Sequence, residues 1–186
     1  MKLYMLMIGC KPKGRNTEQH DVFFGIGDSL AAVVPQLHAF WPEALGIMHI
    51  DVWREVTVVD QHTISIVPKR KPATRSNQLF FFNLGGYKEN EFEEYHYKML
   101  TVAEHLADGT KSAKATSFYK HVGFSGAVSH IDDKYGIDVD DVYKVIDMLH
   151  PGLKSHYQLQ ITRSETVLAQ DELHIGYLKL DKLLKS

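Results

Sequence analysis

Paired acidic residues and histidines are the side chains of this sequence best suited to chemistry. In each pair one residue separates the carboxylate from the imidazole, and the pairs are Glu18 with His20, His49 with Asp51, Glu94 with His96, and His130 with Asp132. Residues two positions apart on a β-strand point to the same face, so a pair can converge on one ligand. Imidazoles and carboxylates bind metal ions and also act as general acids and bases. We therefore predict these residues as ligand-binding candidates.

The competing interpretation of these pairs is purely structural. A histidine beside an acidic residue often satisfies a strand end or a loop through one hydrogen bond. The sequence has neither the His-x₃-His spacing of a helical zinc site nor a Cys-x₂-Cys pair, so it assigns no metal ligand, no catalytic residue and no cofactor. Cys10 is the single cysteine and has no base beside it in sequence, which gives a nucleophilic role little support.

A second candidate site is the loop at residues 9–17. Its glycines let a backbone approach phosphate oxygens, and Lys11, Lys13 and Arg15 supply positive charge. The loop lacks the Gly-Lys-Ser/Thr ending of a phosphate-binding P-loop, and its counterpart at residues 87–91 is net acidic. We therefore predict Lys11 and Arg15 as anion-binding candidates, with an ordinary exposed loop as the alternative.

The elements that carry these residues occur twice in the chain. A shift of 76 residues (85 − 9) places the apolar segment 79–86 under segment 3–10. The same shift superposes Gly9 and Gly85, Glu18 and Glu94, His20 and His96, and Leu30 and Leu106. After a short insertion, His49-Ile50-Asp51 lines up with His130-Ile131-Asp132. We predict a first repeat at 1–67, a basic linker at 68–78, and a second repeat at 79–186 that includes a C-terminal strand.

Each repeat is predicted to have the element order ββαββ. In the first repeat, residues 2–9 and 21–27 are predicted strands, with a continuous helix from Glu18 as the alternative for the second segment. A helix with a kink at Pro35 and an end at Pro42 follows. Its apolar stripe comprises Leu30, Val33, Val34, Leu37, Phe40 and Trp41. Segments 48–59 and 63–67 form the predicted closing hairpin.

The second repeat is predicted by analogy with the first. Segment 141–149 could form a helix on its own, but the repeat favours a strand, followed by a turn at Pro151-Gly152. Segment 157–162 is its partner strand, and segment 173–180 is the last strand. The predicted fold class is α+β, mostly antiparallel sheet with one helix per repeat.

This order of features resembles the bacterial domain of unknown function 1543, which occurs as one or two copies per chain. The resemblance covers most of residues 2–163, and Cys10 departs from it where the second copy has Gly86. It rests on Gly9, Glu18-x-His20-Asp21, Trp41, His49-x-Asp51, Gly85-Gly86, Glu94-x-His96 and His130-x-Asp132. The family has no known activity, so the resemblance implies two tandem copies of one architecture and no mechanism.

Composition excludes several classes of function. The net charge of −2 gives no global basic field, so nucleic-acid binding is not expected. No segment approaches the roughly 20 apolar residues of a membrane span, and segment 3–10, which resembles a short lipoprotein signal, is interpreted as a strand. A single cysteine fits a reducing compartment, so we expect a cytoplasmic protein.

Two functional hypotheses follow, and the sequence does not decide whether the protein is an enzyme. The favoured one is a non-catalytic protein that binds an unidentified small ligand or protein partner. A homodimer is expected to form by pairing of the C-terminal edge strand. The alternative is a metal-assisted or acid–base hydrolase that uses the repeated Glu-x-His and His-x-Asp pairs.

Overall fold

The chain is an α+β protein in which short helices accompany antiparallel sheets. The computed structural model describes residues 1–70, 76–87, 90–115 and 137–184. Contacts divide the chain into two units. The first unit is Met1–Lys71 with Ile146–Ser186, and the second is Pro72–Val145.

The elements are numbered in chain order. The strands are β1 (Lys2–Cys10), β2 (Gln19–Gly27), β3 (His49–Glu55), β4 (Val58–Val59), β5 (His62–Pro68), β6 (Gln78–Tyr87), β7 (Glu94–Ala103), β8 (Ile137–Lys144), β9 (Tyr157–Arg163) and β10 (His174–Lys179). The α-helices are α1 (Val34–Phe40), α2 (Leu106–Lys114), α3 (Val145–Met148), α4 (Pro151–His156) and α5 (Leu180–Leu183). Short 3₁₀ turns at Ala31–Val33 and Pro42–Ala44 flank α1.

The described strands form three sheets. Their orders are β10-β3-β1-β2 and β4-β5-β9 in the first unit, and β7-β6-β8 in the second. In the first sheet β1 lies between β2 and β3, and in the third sheet β6 lies between β7 and β8. The predicted repeat boundaries follow sequence similarity, whereas the contact units follow strand pairing, which joins the late strands β9 and β10 to β5 and β3.

The core of the first unit lies against one face of β1. Alternate residues of this strand, from Tyr4 through Leu6 and Ile8 to Cys10, pack against buried side chains of α1 such as Leu37. Because successive side chains alternate across a strand, Gly9 faces the opposite side of the sheet. The face of β1 that carries Gly9 is therefore the one opposite the α1 core.

The segment between β2 and β3 differs in detail from the predicted kinked helix. Pro35 does not kink a longer helix, because regular α-helix begins only at Val34 and Pro35 occupies its first turn, where no amide donor is needed. Four residues of the predicted apolar stripe are buried, namely Leu30, Val33, Val34 and Leu37, but Phe40 is exposed and meets Phe23 edge-on. Segment 19–27 is a strand, so the alternative of a helix from Glu18 is wrong.

In the second unit, α2 packs on β6. Phe82 and Ala113 belong to one buried cluster, and a Cβ on Gly109 would lie 3.3 Å from the ring of Phe82. This close approach explains a glycine inside the helix, which otherwise costs about 1 kcal/mol relative to alanine.

Two predictions for residues 141–152 are corrected. The strand predicted over 141–149 ends at Lys144, and Val145–Met148 is helical. Pro151 and Gly152 start α4 rather than forming a turn between strands, because proline suits the first helical position. The imidazole of His150 accepts a hydrogen bond from the Gly152 amide at 3.2 Å and so caps this helix.

Within the described residues, no helix has the length and hydrophobicity needed to cross a bilayer.

Candidate functional site

The site lies on the face of the first sheet opposite α1 and begins with three residues in one cross-strand row. Gly9 of β1 pairs with His20 of β2 on one side and with His49 of β3 on the other. Directly opposed residues have side chains within about 5.5 Å of each other. The glycine leaves the space between the two imidazoles open, so both rings can lean over β1.

A β-bulge adds the acidic residue of the third strand. Ile8 pairs with Ile50 and Met7 pairs with Val52, which leaves Asp51 as the extra, unpaired residue of β3. Bulges re-aim side chains and occur next to functional sites more often than elsewhere. The bulge turns the Asp51 carboxylate toward the same space as the two imidazoles.

Four predicted residues meet there. Nε2 of His49 lies 3.1 Å from Oε1 of Glu18 and 3.3 Å from Oδ1 of Asp51. Nε2 of His20 lies 3.4 Å from Oδ2 of Asp51 and 3.7 Å from Oε2 of Glu18. Each imidazole therefore faces both carboxylates. We call Glu18, His20, His49 and Asp51 the four-residue cluster.

His49 is the buried member of the cluster. Only 2% of its surface is exposed, and neither Nδ1 nor Nε2 has a hydrogen-bond partner within the described structure. Oδ2 of Asp51 is also buried without a hydrogen-bond partner there. A buried polar atom without a partner costs about 1–3 kcal/mol, so native proteins rarely keep one without a reason. By contrast, Glu18 and His20 are 43% and 45% exposed, so the cluster opens to solvent on one side.

An aromatic side chain that the sequence did not single out lies against the cluster. The ring centroid of Tyr177 is 4.2 Å from that of His49. Tyr177 belongs to β10, in a stretch where the register with β3 shifts beside the bulge at Asp51. No local sequence signal links residues so far apart in the chain, because the contact depends on β10 returning to the edge of the first sheet.

The second unit contains a smaller cluster of similar construction, which we call the three-residue cluster: Glu94, His96 and Asp140. Gly85 pairs with His96 on one side and with Asp138 on the other. A register shift makes Asp140 the extra residue of β8, between Val139 and Asp141, as Asp51 is in β3. Nε2 of His96 lies 3.2 Å from Oδ2 of Asp140 and 3.9 Å from Oε2 of Glu94.

The remaining predicted candidates are not part of either cluster. His130 and Asp132 lie outside the described residues, and the register position opposite Gly85 belongs to Asp138. Lys11 and Arg15 are exposed in the loop between β1 and β2. Neither makes an ion pair with Glu18 or Asp51 in the described part of the chain.

Cys10 is on the core face and is not a member of the cluster. It is fully buried beside Ile8 and Leu37. Burial raises the pKa of its thiol, and the negative charge of Glu18 raises it further. A buried thiol with a raised pKa is a poor nucleophile and a poor metal ligand, because both roles require the thiolate.

Comparisons with known proteins agree with this fold and assign no activity. Residues 15–66 match the family Domain of Unknown Function (DUF1543), which supports the resemblance expected from the sequence. The crystal structure of a protein Il1583 from Idiomarina loihiensis is similar, with a TM-score of 0.62 and 22% sequence identity. The similarity covers 96% of this chain and 97% of that chain, and at this identity it shows the fold alone. No curated protein matches the sequence.

Proposed function

We propose that this protein binds a divalent metal ion of the first transition series at the four-residue cluster. The observation that carries the proposal is His49, a buried imidazole whose Nε2 faces two carboxylates while neither ring nitrogen has a hydrogen-bond partner in the described structure. A cation held between these groups would be a partner for the Nε2 lone pair and would neutralise the two carboxylates. In this proposal the small ligand expected from the sequence is the metal ion itself.

The donor set narrows the choice of metal. Two imidazoles with two carboxylates suit Zn²⁺, Fe²⁺ or Mn²⁺, whereas Ca²⁺ and Mg²⁺ prefer oxygen ligands throughout. Copper(I) is disfavoured, because it selects sulfur ligands and the buried Cys10 faces the opposite side of β1.

The test is native mass spectrometry with elemental analysis of the freshly purified protein, followed by calorimetric titration of the metal-stripped protein with Zn²⁺, Fe²⁺ and Mn²⁺. One ion per chain is expected at the four-residue cluster. The isosteric variants Glu18→Gln and Asp51→Asn remove charge without removing volume, and each is expected to weaken binding about 100-fold or more.

His105→Ala is the matched control, because His105 is exposed before α2 and makes no capping hydrogen bond with its side chain. It should bind metal like the unchanged protein. Dissociation constants of about 1 mM or weaker for all three ions in a folded protein would contradict the proposal, since they correspond to a binding free energy of only about −4 kcal/mol.

A metal-assisted hydrolase is the second candidate function, favoured by the exposure of Glu18 and His20. Structural metal sites are closed, whereas catalytic sites keep an open position for water or substrate. The metal-loaded protein should then hydrolyse an activated ester or phosphodiester, and Asp51→Asn should abolish the rate. A rate equal to that of free metal in buffer would leave binding alone as the function.

We also propose that the chain arose by tandem duplication of a ββαββ unit, at 1–67 and 79–186 with the basic linker 68–78 between them. Two features support this: the central position of β1 and β6 in their sheets, and the matching placement of Gly9 and Gly85 opposite a histidine. A cytoplasmic location remains a prediction from the single cysteine.

A homodimer formed through β10 is a further part of the proposal. This strand is one of the two edges of the first sheet, and its residues Ile175 and Tyr177 are 78% and 63% exposed. Exposed apolar edge strands favour pairing with a second copy. Sedimentation velocity should show a dimer that Ile175→Lys converts to a monomer, and a monomeric unchanged protein would contradict the pairing.

A further inference from the structure

The three-residue cluster is organised by the same strand positions as the four-residue cluster. Its histidine lies opposite a glycine of the central strand, and its aspartate is the extra residue at a register shift in the third strand. A Cβ on Gly85 would collide with both carboxylate oxygens of Asp140, so this position requires glycine just as Gly9 does. The backbone thus holds open a second space into which an imidazole and an aspartate project.

Glu94 is oriented toward this space by a neighbouring hydroxyl. The Tyr87 hydroxyl donates a hydrogen bond to Oε1 of Glu94 at 2.7 Å. Oε2, the other oxygen, is the one that lies 3.9 Å from Nε2 of His96. Hydrogen bonds of this kind commonly fix ligating carboxylates in metal sites.

We propose that Glu94, His96 and Asp140 form a second divalent-cation site, weaker than the first and selective for a harder ion such as Mn²⁺. The donor set has one imidazole and two carboxylates, so it is richer in oxygen than the four-residue cluster. Oxygen donors favour Mn²⁺ and Mg²⁺, whereas a second imidazole favours Zn²⁺. All three ligands are at least partly exposed, which also weakens binding.

Lys98 adds a reason for the lower affinity. It is half-buried two residues after His96 in β7, and it interacts electrostatically with Asp140. The equivalent register position of β2 is the apolar Val22, since Met7 pairs with Val22 and Asn83 pairs with Lys98. An ammonium near a cation site repels the cation, and the first site has no such charge at this position.

The test uses the full chain with the first site disabled by Glu18→Gln and Asp51→Asn together. Titration with Mn²⁺, followed by electron paramagnetic resonance of the free ion, is expected to show one remaining site per chain. Adding Asp140→Asn should remove that site, whereas the matched control Asp108→Asn, on the exposed side of α2, should leave it unchanged. Lys98→Met should tighten it roughly tenfold, because a positive charge is removed beside the carboxylate.

The outcomes of this test are separable from those of the first site. Failure of the four-residue cluster to bind metal would leave Mn²⁺ binding unaffected by Glu18→Gln and Asp51→Asn. If the disabled chain is folded by circular dichroism and binds no Mn²⁺ up to about 1 mM, the second site is overturned. It is equally overturned if the remaining binding persists unchanged in Asp140→Asn.

Discussion

Gly9 and His49 lie opposite each other on neighbouring strands, and a Cβ on Gly9 would lie only 2.6 Å from Nε2 of His49. The same Cβ would lie 2.9 Å from Oδ2 of Asp51. Real Cβ atoms do not approach polar atoms so closely, so the space over β1 exists because residue 9 has no side chain. The imidazole of His49 therefore occupies space over β1 that a side chain at position 9 would fill.

The first prediction follows from this pair. Gly9→Ala should displace the imidazole of His49 and weaken metal binding at the four-residue cluster at least about 100-fold, because a displacement of about 1 Å spoils the ligand geometry. Gly85→Ala is the matched control: it makes the same change opposite a histidine in the second unit, where the methyl meets Asp140 instead. Calorimetric titration of both variants measures the effect. Equal affinities for the first ion in Gly9→Ala and Gly85→Ala would contradict this role of Gly9.

His49 is expected to contribute to metal binding but little to the stability of the metal-free protein. Removing ring nitrogens that are buried without hydrogen-bond partners in the described structure is favourable, but His49→Leu also removes the contacts of Nε2 with Glu18 and Asp51, so the stability of the metal-free protein should change by less than about 1 kcal/mol. The unchanged protein should gain about 2.7 kcal/mol from metal at 100 times its dissociation constant, and His49→Leu should gain nothing. Urea denaturation with chelator and with metal measures both quantities. A large loss of stability in metal-free His49→Leu would instead indicate a structural role for the imidazole.

The pH dependence of stability should reflect Cys10. Burial raises the pKa of the thiol in the folded protein, so on raising the pH the unfolded chain loses its thiol proton first. The unfolded state then binds fewer protons than the folded state, and stability decreases as pH rises above about 8.5, the ordinary thiol value. Urea denaturation at increasing pH should show this decline, and Cys10→Ala should reduce its slope. An identical slope in Cys10→Ala would assign the decline to other groups.

Residues of the site that are close together in the chain could be predicted from the sequence. Glu18 and His20 are found from their spacing, although Glu18 lies one residue before β2 rather than on a strand as that argument assumed. The placement of His49 beside them depends on β3 pairing with β1 across a long connection, whereas the sequence predicted a hairpin of segment 48–59 with segment 63–67; that prediction is wrong for β3, since within this segment only β4 pairs with β5. The first two strands of each unit were predicted with the help of the repeat, since the apolar pattern of segment 3–10 recurs in segment 79–86.

The membership of Asp140 in the three-residue cluster was not predicted from the sequence. Asp51 and Asp140 are each placed in their cluster by a shift in strand register, and the sequence contains no residue pattern that predicts such a shift. In the second unit Asp138 is the residue opposite Gly85 in the β6–β8 register, whereas the sequence comparison matched His49-x-Asp51 to His130-x-Asp132. The acid-x-acid pair directly before the strand predicted over 141–149 was the available signal, but only the strand pairing identifies it.

The free edge of β2 gives the last prediction, which concerns stability alone. The side chain of Gln36 in α1 donates to the Ile26 carbonyl at 2.7 Å and accepts from the Ile26 amide at 3.3 Å, so one amide group completes the hydrogen bonding of an edge residue. Gln36→Met keeps the side-chain length but leaves both backbone groups unpaired, and should lower the free energy of unfolding by about 1–3 kcal/mol. Gln36→Glu should be destabilised as well, because a carboxylate accepts from the amide but repels the carbonyl.

Gln170→Ala, in an exposed segment, is the control and should change stability by less than about 0.5 kcal/mol. Urea denaturation of the three variants in the presence of chelator separates this effect from metal binding. If Gln36→Met is as stable as Gln170→Ala, solvent satisfies the edge of β2 and the glutamine contributes nothing to holding α1 against the sheet.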